Sequence, residues 1–440
     1  MSSSNSSTQS DPVSHDFRPL LLVANSSWYL LHYRKLLLSR LCHEPLHAIA
    51  LSPVDSSTPD LSKLLIHIPW RIHRSTDSNP FSLVISFFRL LFLVRAIKPR
   101  LVHSHTIKAN LLVAVVTAFF GVPCVLSFAG MGRLSKAKGL SRHAFVLVLR
   151  IIAFFSFRER QSRWGWSSSP RRSIFIFQNP IDRALFEQTL PTISSSQNYL
   201  IPGSGVPVRY FSSTDVQSNQ AFPNQWWISP LNQYPSSPTC LQFFFCARLL
   251  ISKGIYTFLE IAALLGSHRF IAFGGFDPSS RDSLSIESLP ALQLRHPNVV
   301  FSGSVSDPLL CLYASYPVLL VPSNYGEGLP RAIVEALALG IPVISSRAAT
   351  CGIFDSSMIY IADSDSPGSY LKCIDQLLAD NASGRLIPRM IAAKTFVQSS
   401  LSEEAVVEQT LAVYKVLENA SSASYLLTKD EARLGSWLAQ

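Results

Sequence analysis

The chain has 440 residues, long enough for two domains with full apolar cores. Hydrophobic residues make up 48% and charged residues 15%, a greasier balance than an average soluble protein carries. The formal charge of +10 is uneven, with 24 Lys and Arg against 9 Asp and Glu in residues 1–210, and 14 against 19 in residues 211–440. A basic first half can meet nucleic acid, an anionic membrane surface or phosphate-bearing substrates, and no nucleic-acid motif supports the first of these. Seven cysteines are scattered without a C-x-x-C pair, which argues against a disulfide scaffold or zinc site and fits a reducing compartment.

In chain order, residues 1–16 are Ser-rich and polar, lack the blocks of a secretory signal, and read as a disordered tail. Residues 18–25 (RPLLLVAN) read as a buried strand ending in a polar turn, with a helix over 29–41. This strand–turn–helix opening suits a doubly wound α/β domain, where ligands bind beyond the carboxyl ends of strands. Asn25 therefore becomes a candidate ligand contact. Strands follow at 47–51 and 64–68, a helix at 82–97, and a strand at 100–105 that ends in His105.

Residues 111–132 contain no charge and approach the length of a membrane span. Gly121-Val122-Pro123 divides them into the end of a helix (108–120) and a strand (124–128), so a buried helix feeding a parallel strand is the better reading. Residues 81–97 and 144–157 are apolar but interrupted by Arg89, Arg95 and Arg150. They read either as helices lying in a membrane interface or as core helices whose Arg side chains snorkel outward. A strand at 173–178 and a short helix near 182–186 follow, and residues 200–206 close a first domain of residues 17–211.

Residues 212–240, rich in Ser, Pro, Asn and Gln, read as a linker. The second domain (241–418) restarts the pattern, with strands at 242–247, 270–273, 299–303 and 318–322 and helices at 254–265, 308–314 and 371–378. Residues 383–418 are largely helical, and 419–440 read as a loose tail. Within this domain, VPSNYGEGLPRAIVEALALGIPVISS (321–346) reads as strand end, loop, helix, turn and strand. Pro330 suits a first helical turn, Gly340 a left-handed cap, and Pro342 a stop. The loop through Gly326 and Gly328 thus delivers the chain to a helix N-terminus, where free N–H groups favour an anion such as a diphosphate. Glu327 and Glu335 do not help to bind an anion and are expected to face hydroxyl groups. Taken alone, the helix reads equally as an amphipathic helix with a solvated Glu.

The Glu327-x7-Glu335 string with its Gly-Leu-Pro and Leu-Gly-Ile-Pro-Val-Ile flanks resembles the signature of retaining, nucleotide-sugar-dependent glycosyltransferases of family four (group 1). The resemblance covers residues 18–415 and implies a GT-B fold: two Rossmann-like doubly wound domains facing across a cleft. Arg248-x4-Lys253 matches the family's cation pair, which implies that both grip the donor diphosphate and stabilise the charge growing on the leaving group. It also implies that Glu335 accepts from the ribose hydroxyls, that Glu327 meets the donor sugar, and that the N–H groups of Gly328 and Leu329 meet its oxygens. Gly274, Gly275 and Ser302 fit turns near the nucleotide, although each fits a plain tight turn as well.

His105, beside Lys108, resembles a site His facing donor sugar and acceptor, while a lone His after a strand is as readily structural. Asn25-Ser26-Ser27 departs from the glycine-rich turn of many relatives. Further stretches, Tyr29-x3-Tyr33-Arg34, residues 128–132, Phe177-Gln178-Asn179 and residues 203–206, resemble the bacterial N-acetylgalactosaminyltransferases that act on lipid-diphosphate-linked saccharides. That implies a UDP-sugar donor, a lipid-linked or oligosaccharide acceptor whose diphosphate meets Arg34, Arg74, Lys108 and Arg133, and a place on the inner face of the cell membrane. No Asp-x-Asp cluster with supporting ligands is present, so no metal or other cofactor is expected. A sugar-nucleotide epimerase or hydrolase on the same fold, and an inactive partner subunit, are the alternatives.

Overall fold

The computed structural model describes residues 18–43, 48–72, 80–131, 139–157, 173–190, 197–207, 210, 241–278, 280, 282–305, 308–311 and 316–418. The expected tails, the linker 212–240, Arg74 and Arg133 lie outside the described residues.

The first domain runs β1 (Leu20–Val23), α1 (Ser27–Tyr33), α2 (Lys35–His43), β2 (Ala48–Ser52), α3 (Thr58–Leu64), β3 (Ile66–Pro69), α4 (Pro80–Ile97), β4 (Leu101–His105), α5 (Ile107–Phe120), β5 (Cys124–Phe128), α6 (Leu140–Phe157), β6 (Ser173–Phe177), α7 (Pro180–Thr189) and β7 (Asn198–Leu200). The strands pair in parallel in the order β3-β2-β1-β4-β5-β6-β7. β1, β4, β5 and β6 are buried at every residue, as strands covered on both faces require. Leu21 and Val23 face a core built with α4, α5 and α6, while Leu20 and Leu22 face the opposite one. Gly121, left-handed at φ 70°, ends α5 at the turn that divides the uncharged stretch, so that stretch is a buried helix and strand.

The second domain runs β8 (Gln242–Cys246), α8 (Ile255–Leu264), β9 (Arg269–Phe273), α9 (Leu289–Arg295), β10 (Val299–Gly303), β11 (Pro317–Val321), α10 (Arg331–Leu339), β12 (Val343–Ser346), β13 (Tyr360–Ala362), α11 (Pro367–Ala382), α12 (Leu386–Ser400) and α13 (Glu403–Glu418). Its strands are parallel in the order β10-β9-β8-β11-β12-β13.

Three expectations are corrected. The helix over 29–41 is two helices, because the backbone turns at Arg34 (φ −133°) and sends its side chain inward to the Tyr29 hydroxyl at 3.3 Å. The helix at 308–314 is a 3₁₀ turn over Pro308–Cys311, with 312–315 outside the described residues. The boundary at 418 misplaces α13, which belongs to the first domain: Val406, Val407, Val413, Tyr414 and Leu417 pack into the core with Leu20 and Leu22. The Tyr414 hydroxyl lies 2.6 Å from His103 Nδ1. The chain returns beside its own exit, since Val206 N–H donates to Leu401 O at 2.9 Å and Glu403 N–H to Val206 O at 3.0 Å.

Candidate functional site

Each sheet reverses its strand order once, between β1 and β4 in the first domain and between β8 and β11 in the second. Ligands of doubly wound sheets bind at such switch points, beyond the strand ends. Here the two switch points face one another across a cleft of about 620 Å³, a volume suited to a small-molecule ligand. Asn25 after β1 and Thr106 after β4 line one wall; Arg248, Lys253, Glu327, Gly328 and Leu329 line the other.

The cations are set by tight backbone geometry. Lys253 ends a 3₁₀ turn, Ile251–Lys253, that Gly254 stops at φ 83°. A Cβ on Gly254 would stand 2.0 Å from the Pro322 carbonyl oxygen, so the Arg248-x4-Lys253-Gly254 segment can lie against the β11 loop only with glycine there. Lys253 Nζ lies 2.6 Å from Glu327 Oε1, with the two side chains 12% and 15% exposed, and 4.9 Å from the Tyr325 ring centre. Ser323 donates to the same Glu327 oxygen at 3.0 Å. Arg248 pairs with Asp277, a carboxylate the sequence reading passed over.

α10 begins without a side-chain cap, because Pro330 occupies the N-cap and offers neither N–H nor hydroxyl. Ile333 N–H donates to Pro330 O at 3.1 Å, so the N–H groups of Arg331 and Ala332 and the positive dipole end are left for an anion, and residues 328–332 line the cleft there. Glu335 lies one turn further in and does not line the cleft. Arg331 Nε holds its Oε1 at 2.5 Å, while Arg331 Nη1 donates to His32 O at 2.9 Å and the guanidinium lies 5.2 Å from the Tyr33 ring centre. Arg331 thus joins the Glu335 carboxylate to the first domain. Burial pushes the Tyr33 hydroxyl's pKa up, against the pull of Arg331.

A second bridge closes the cleft. The Asn179 side-chain amide donates to Gly328 O at 2.8 Å and Glu327 O at 3.0 Å, and its carbonyl caps α7 by accepting from Asp182 N–H at 2.7 Å. Gly130 (φ 93°) and Gly328 touch so closely that a Cβ on Gly130 would stand 2.4 Å from Gly328 N. Asp182 anchors the Gly130 loop by accepting from Met131 N–H at 3.0 Å; burial lifts its pKa to about 6 against that bond and one from Asn179.

Several expected site residues sit elsewhere. His105 is fully buried one layer behind the cleft wall, its Nδ1 3.5 Å from the Tyr29 hydroxyl and its ring 4.2 Å from that of His103. Burial holds both imidazoles well below their ordinary pKa, and for His105 the neighbouring His103 and Arg34 add to the effect. A neutral His105 therefore supports Tyr29, which does line the cleft. Arg34 is buried against Tyr29 and does not reach the cleft. Gly274 and Gly275 brace the backbone behind Arg248: a Cβ on Gly274 would meet Ala247 O at 1.8 Å, and Gly275 O accepts from Leu249 N–H at 3.0 Å. Ser302 is exposed on the edge strand β10, outside the cleft.

Thr106, next to His105, was not among the expected site residues. It lines the cleft at φ 78°, a conformation a β-branched residue adopts at a cost of roughly 1–3 kcal/mol, and its buried hydroxyl has no hydrogen-bond partner among the described residues. Strain of this kind concentrates at working sites.

Residues 241–380, the sequence that supplies Arg248, Lys253, Glu327 and Glu335, match the family model of the group 1 glycosyl transferases. The chain is a glycosyltransferase. Solved structures share the GT-B architecture of this glycosyltransferase over nearly its whole length. Sucrose-phosphate synthase from Thermosynechococcus elongatus is 18% identical, with 92% of this chain and 100% of that one covered and a TM-score of 0.68. HepE of Anabaena, solved in complex with UDP, is 14% identical, with 90% and 99% covered and a TM-score of 0.66. WaaG, a glycosyltransferase involved in lipopolysaccharide biosynthesis, is 14% identical with the same coverage and a TM-score of 0.61. No curated protein matches the sequence.

Proposed function

We propose that this glycosyltransferase moves a hexose or N-acetylhexosamine from a UDP-sugar to a saccharide acceptor with retention of anomeric configuration. The supporting observation is the convergence of Arg248, Lys253 and the uncapped α10 N-terminus on one face of the cleft, with Glu335 one turn behind. In this reading the diphosphate lies between the two cations and the α10 donors. Entering phosphates draw Lys253 from Glu327 and Arg248 from Asp277, freeing Glu327 to accept from sugar hydroxyls. Glu335 takes the ribose hydroxyls while keeping its bond to Arg331.

The acceptor hydroxyl then attacks the anomeric carbon on the face the diphosphate leaves, the sugar–phosphate bond breaks, and a departing phosphate oxygen takes the hydroxyl proton. The two cations offset the negative charge growing on the leaving diphosphate, as a metal ion does in other transferases. Asn25, Thr106, Tyr29 and Trp28, on the first-domain wall, form the acceptor side. The basic first half suits an acceptor carried on a lipid diphosphate, in cell-surface polysaccharide synthesis at the inner face of the membrane.

Calorimetric titration with UDP and with GDP tests the site in the wild type, Glu335→Ala and Arg248→Ala. Micromolar UDP binding, lost in both variants, supports the reading. Preference for GDP redirects the donor assignment, and no binding of either by folded protein favours an inactive partner subunit.

A further inference from the structure

α4 and α6 carry apolar residues on the faces they bury and also on the faces they expose. Along α4, Phe81, Val84, Ile85, Phe88 and Phe92 are 50–74% exposed at spacings of three and four, a continuous stripe on the outer face. Along α6, Leu140, Leu147 and Phe154 are 57–87% exposed at intervals of seven, a second stripe. Both helices pack beside α5, so the stripes belong to one helical layer covering one face of the first-domain sheet. A helix that is apolar all round is normally buried or in contact with lipid.

The charges decide what covers this face. Neither helix contains an Asp or Glu. Exposed Arg95 continues the α4 stripe three residues beyond Phe92, Arg89 flanks it, and Arg150 stands within the α6 stripe between Leu147 and Phe154. A two-fold pairing of copies would set these cations against one another, whereas anionic headgroups complement them and the aliphatic stems lie along apolar side chains. No helix among the described residues is long and apolar enough to cross a membrane, so such helices lie on the bilayer and do not span it. The face also begins near the cleft. Leu140, the start of the α6 stripe, lies ten positions after Gly130, which packs on Gly328, a reach of at most about 35 Å.

We infer that the exposed faces of α4 and α6 form one membrane-docking surface, which seats the first domain on an anionic bilayer. The inference rests on the proposed function only for its purpose, the delivery of a lipid-carried acceptor. Docking itself needs neither donor nor catalysis.

The test is flotation of the full-length protein with vesicles of phosphatidylcholine alone and of phosphatidylcholine and phosphatidylglycerol in equal parts. The variants are Ile85→Ser/Phe88→Ser/Phe92→Ser and Arg89→Ala/Arg95→Ala/Arg150→Ala. All six side chains are solvent-exposed, so unfolding midpoints at or above the wild-type value are expected. The wild type is expected to float with anionic vesicles at least tenfold more than with neutral ones. The apolar variant is expected to lose binding to both, and the arginine variant to lose the anionic preference. Wild-type protein that stays unbound, or an apolar variant that floats equally well, overturns the inference. So does a wild-type dimer that the apolar variant dissolves without any vesicle effect. Failure to bind UDP would defeat the proposed function and leave the vesicle result standing.

Discussion

Replacing Arg331 by Met removes one partner, at 2.5 Å, of a carboxylate that is only 9% exposed. Breaking an enclosed ion pair from one side costs about 3–5 kcal/mol. Glu335 has an escape, because it can take up a proton. From an ordinary Glu pKa of about 4.3, protonation at pH 7 costs roughly 3.7 kcal/mol, at about 1.36 kcal/mol per pH unit. That value caps the penalty, and the same escape at pH 5 costs only about 1 kcal/mol. The loss should therefore amount to about 3–3.7 kcal/mol at pH 7, a fall in unfolding midpoint of roughly 6–15 °C for a domain of this size, and should shrink on acidification.

The sign follows from linkage: a carboxyl whose folded pKa is raised loses stability as pH rises. Thermal unfolding by circular dichroism at pH 5 and pH 7 gives both numbers. The double variant Arg331→Met/Glu335→Gln should recover most of the loss, since no buried charge remains. A fall below about 1 kcal/mol, or one equal at the two pH values, would refute the picture of Arg331 as the counter-ion of an enclosed Glu335.

Two further outcomes are expected. Gly328→Ala places a Cβ 2.9 Å from the Ala129 carbonyl carbon and Gly130 N, and 2.3 Å from Gln178 Oε1. The domains must part, so small-angle scattering should show an expanded particle and transferase activity should fall on the order of 100-fold, with the unfolding midpoint nearly unchanged. For pH, His103 and His105 are depressed in the fold, so the unfolded chain binds more protons below about pH 6.5. Stability is full above that value and falls as pH drops, by up to about 1.4 kcal/mol per unit for each imidazole. Asp182, raised to about 6, opposes this between its unfolded value near 3.8 and 6. Denaturant titrations from pH 7.5 to 5.5 should show a net decline that His103→Asn reduces; a flat profile would contradict the buried neutral histidines.

Much of the fold was legible because parallel strands and their glycine and proline stops leave plain traces. Runs such as LLLV, CVLSF and SIFIF are buried at every position, and Gly121 and Gly340 end their helices in the left-handed conformation. The second-domain cleft residues were legible for a related reason: Arg248, Lys253 and Glu327 sit within short, sequence-local segments. The first-domain wall was harder to read. It is assembled from single residues at the ends of separate strands, and nothing in the sequence announces the strained backbone at Thr106 or the inward turn at Arg34. His105 was legible as a strand-end histidine, but its burial behind Tyr29 depends on α1, which the sequence does not orient. The Arg331–Glu335 spacing of four could have flagged that pair.

The return of α13 has a consequence for synthesis. A ribosome that has made Tyr210 must add a further 193 residues before Glu403 emerges to begin the helix that covers the first sheet. At about 5–20 residues per second, that is a wait of roughly 10–40 s. Throughout it, the groove that will receive Val406, Val413 and Tyr414 stands open, an apolar surface that holding chaperones can occupy. A stop codon just before residue 403 would leave the Arg248, Lys253 and Glu335 segments intact and yet release a chain whose other half never closes.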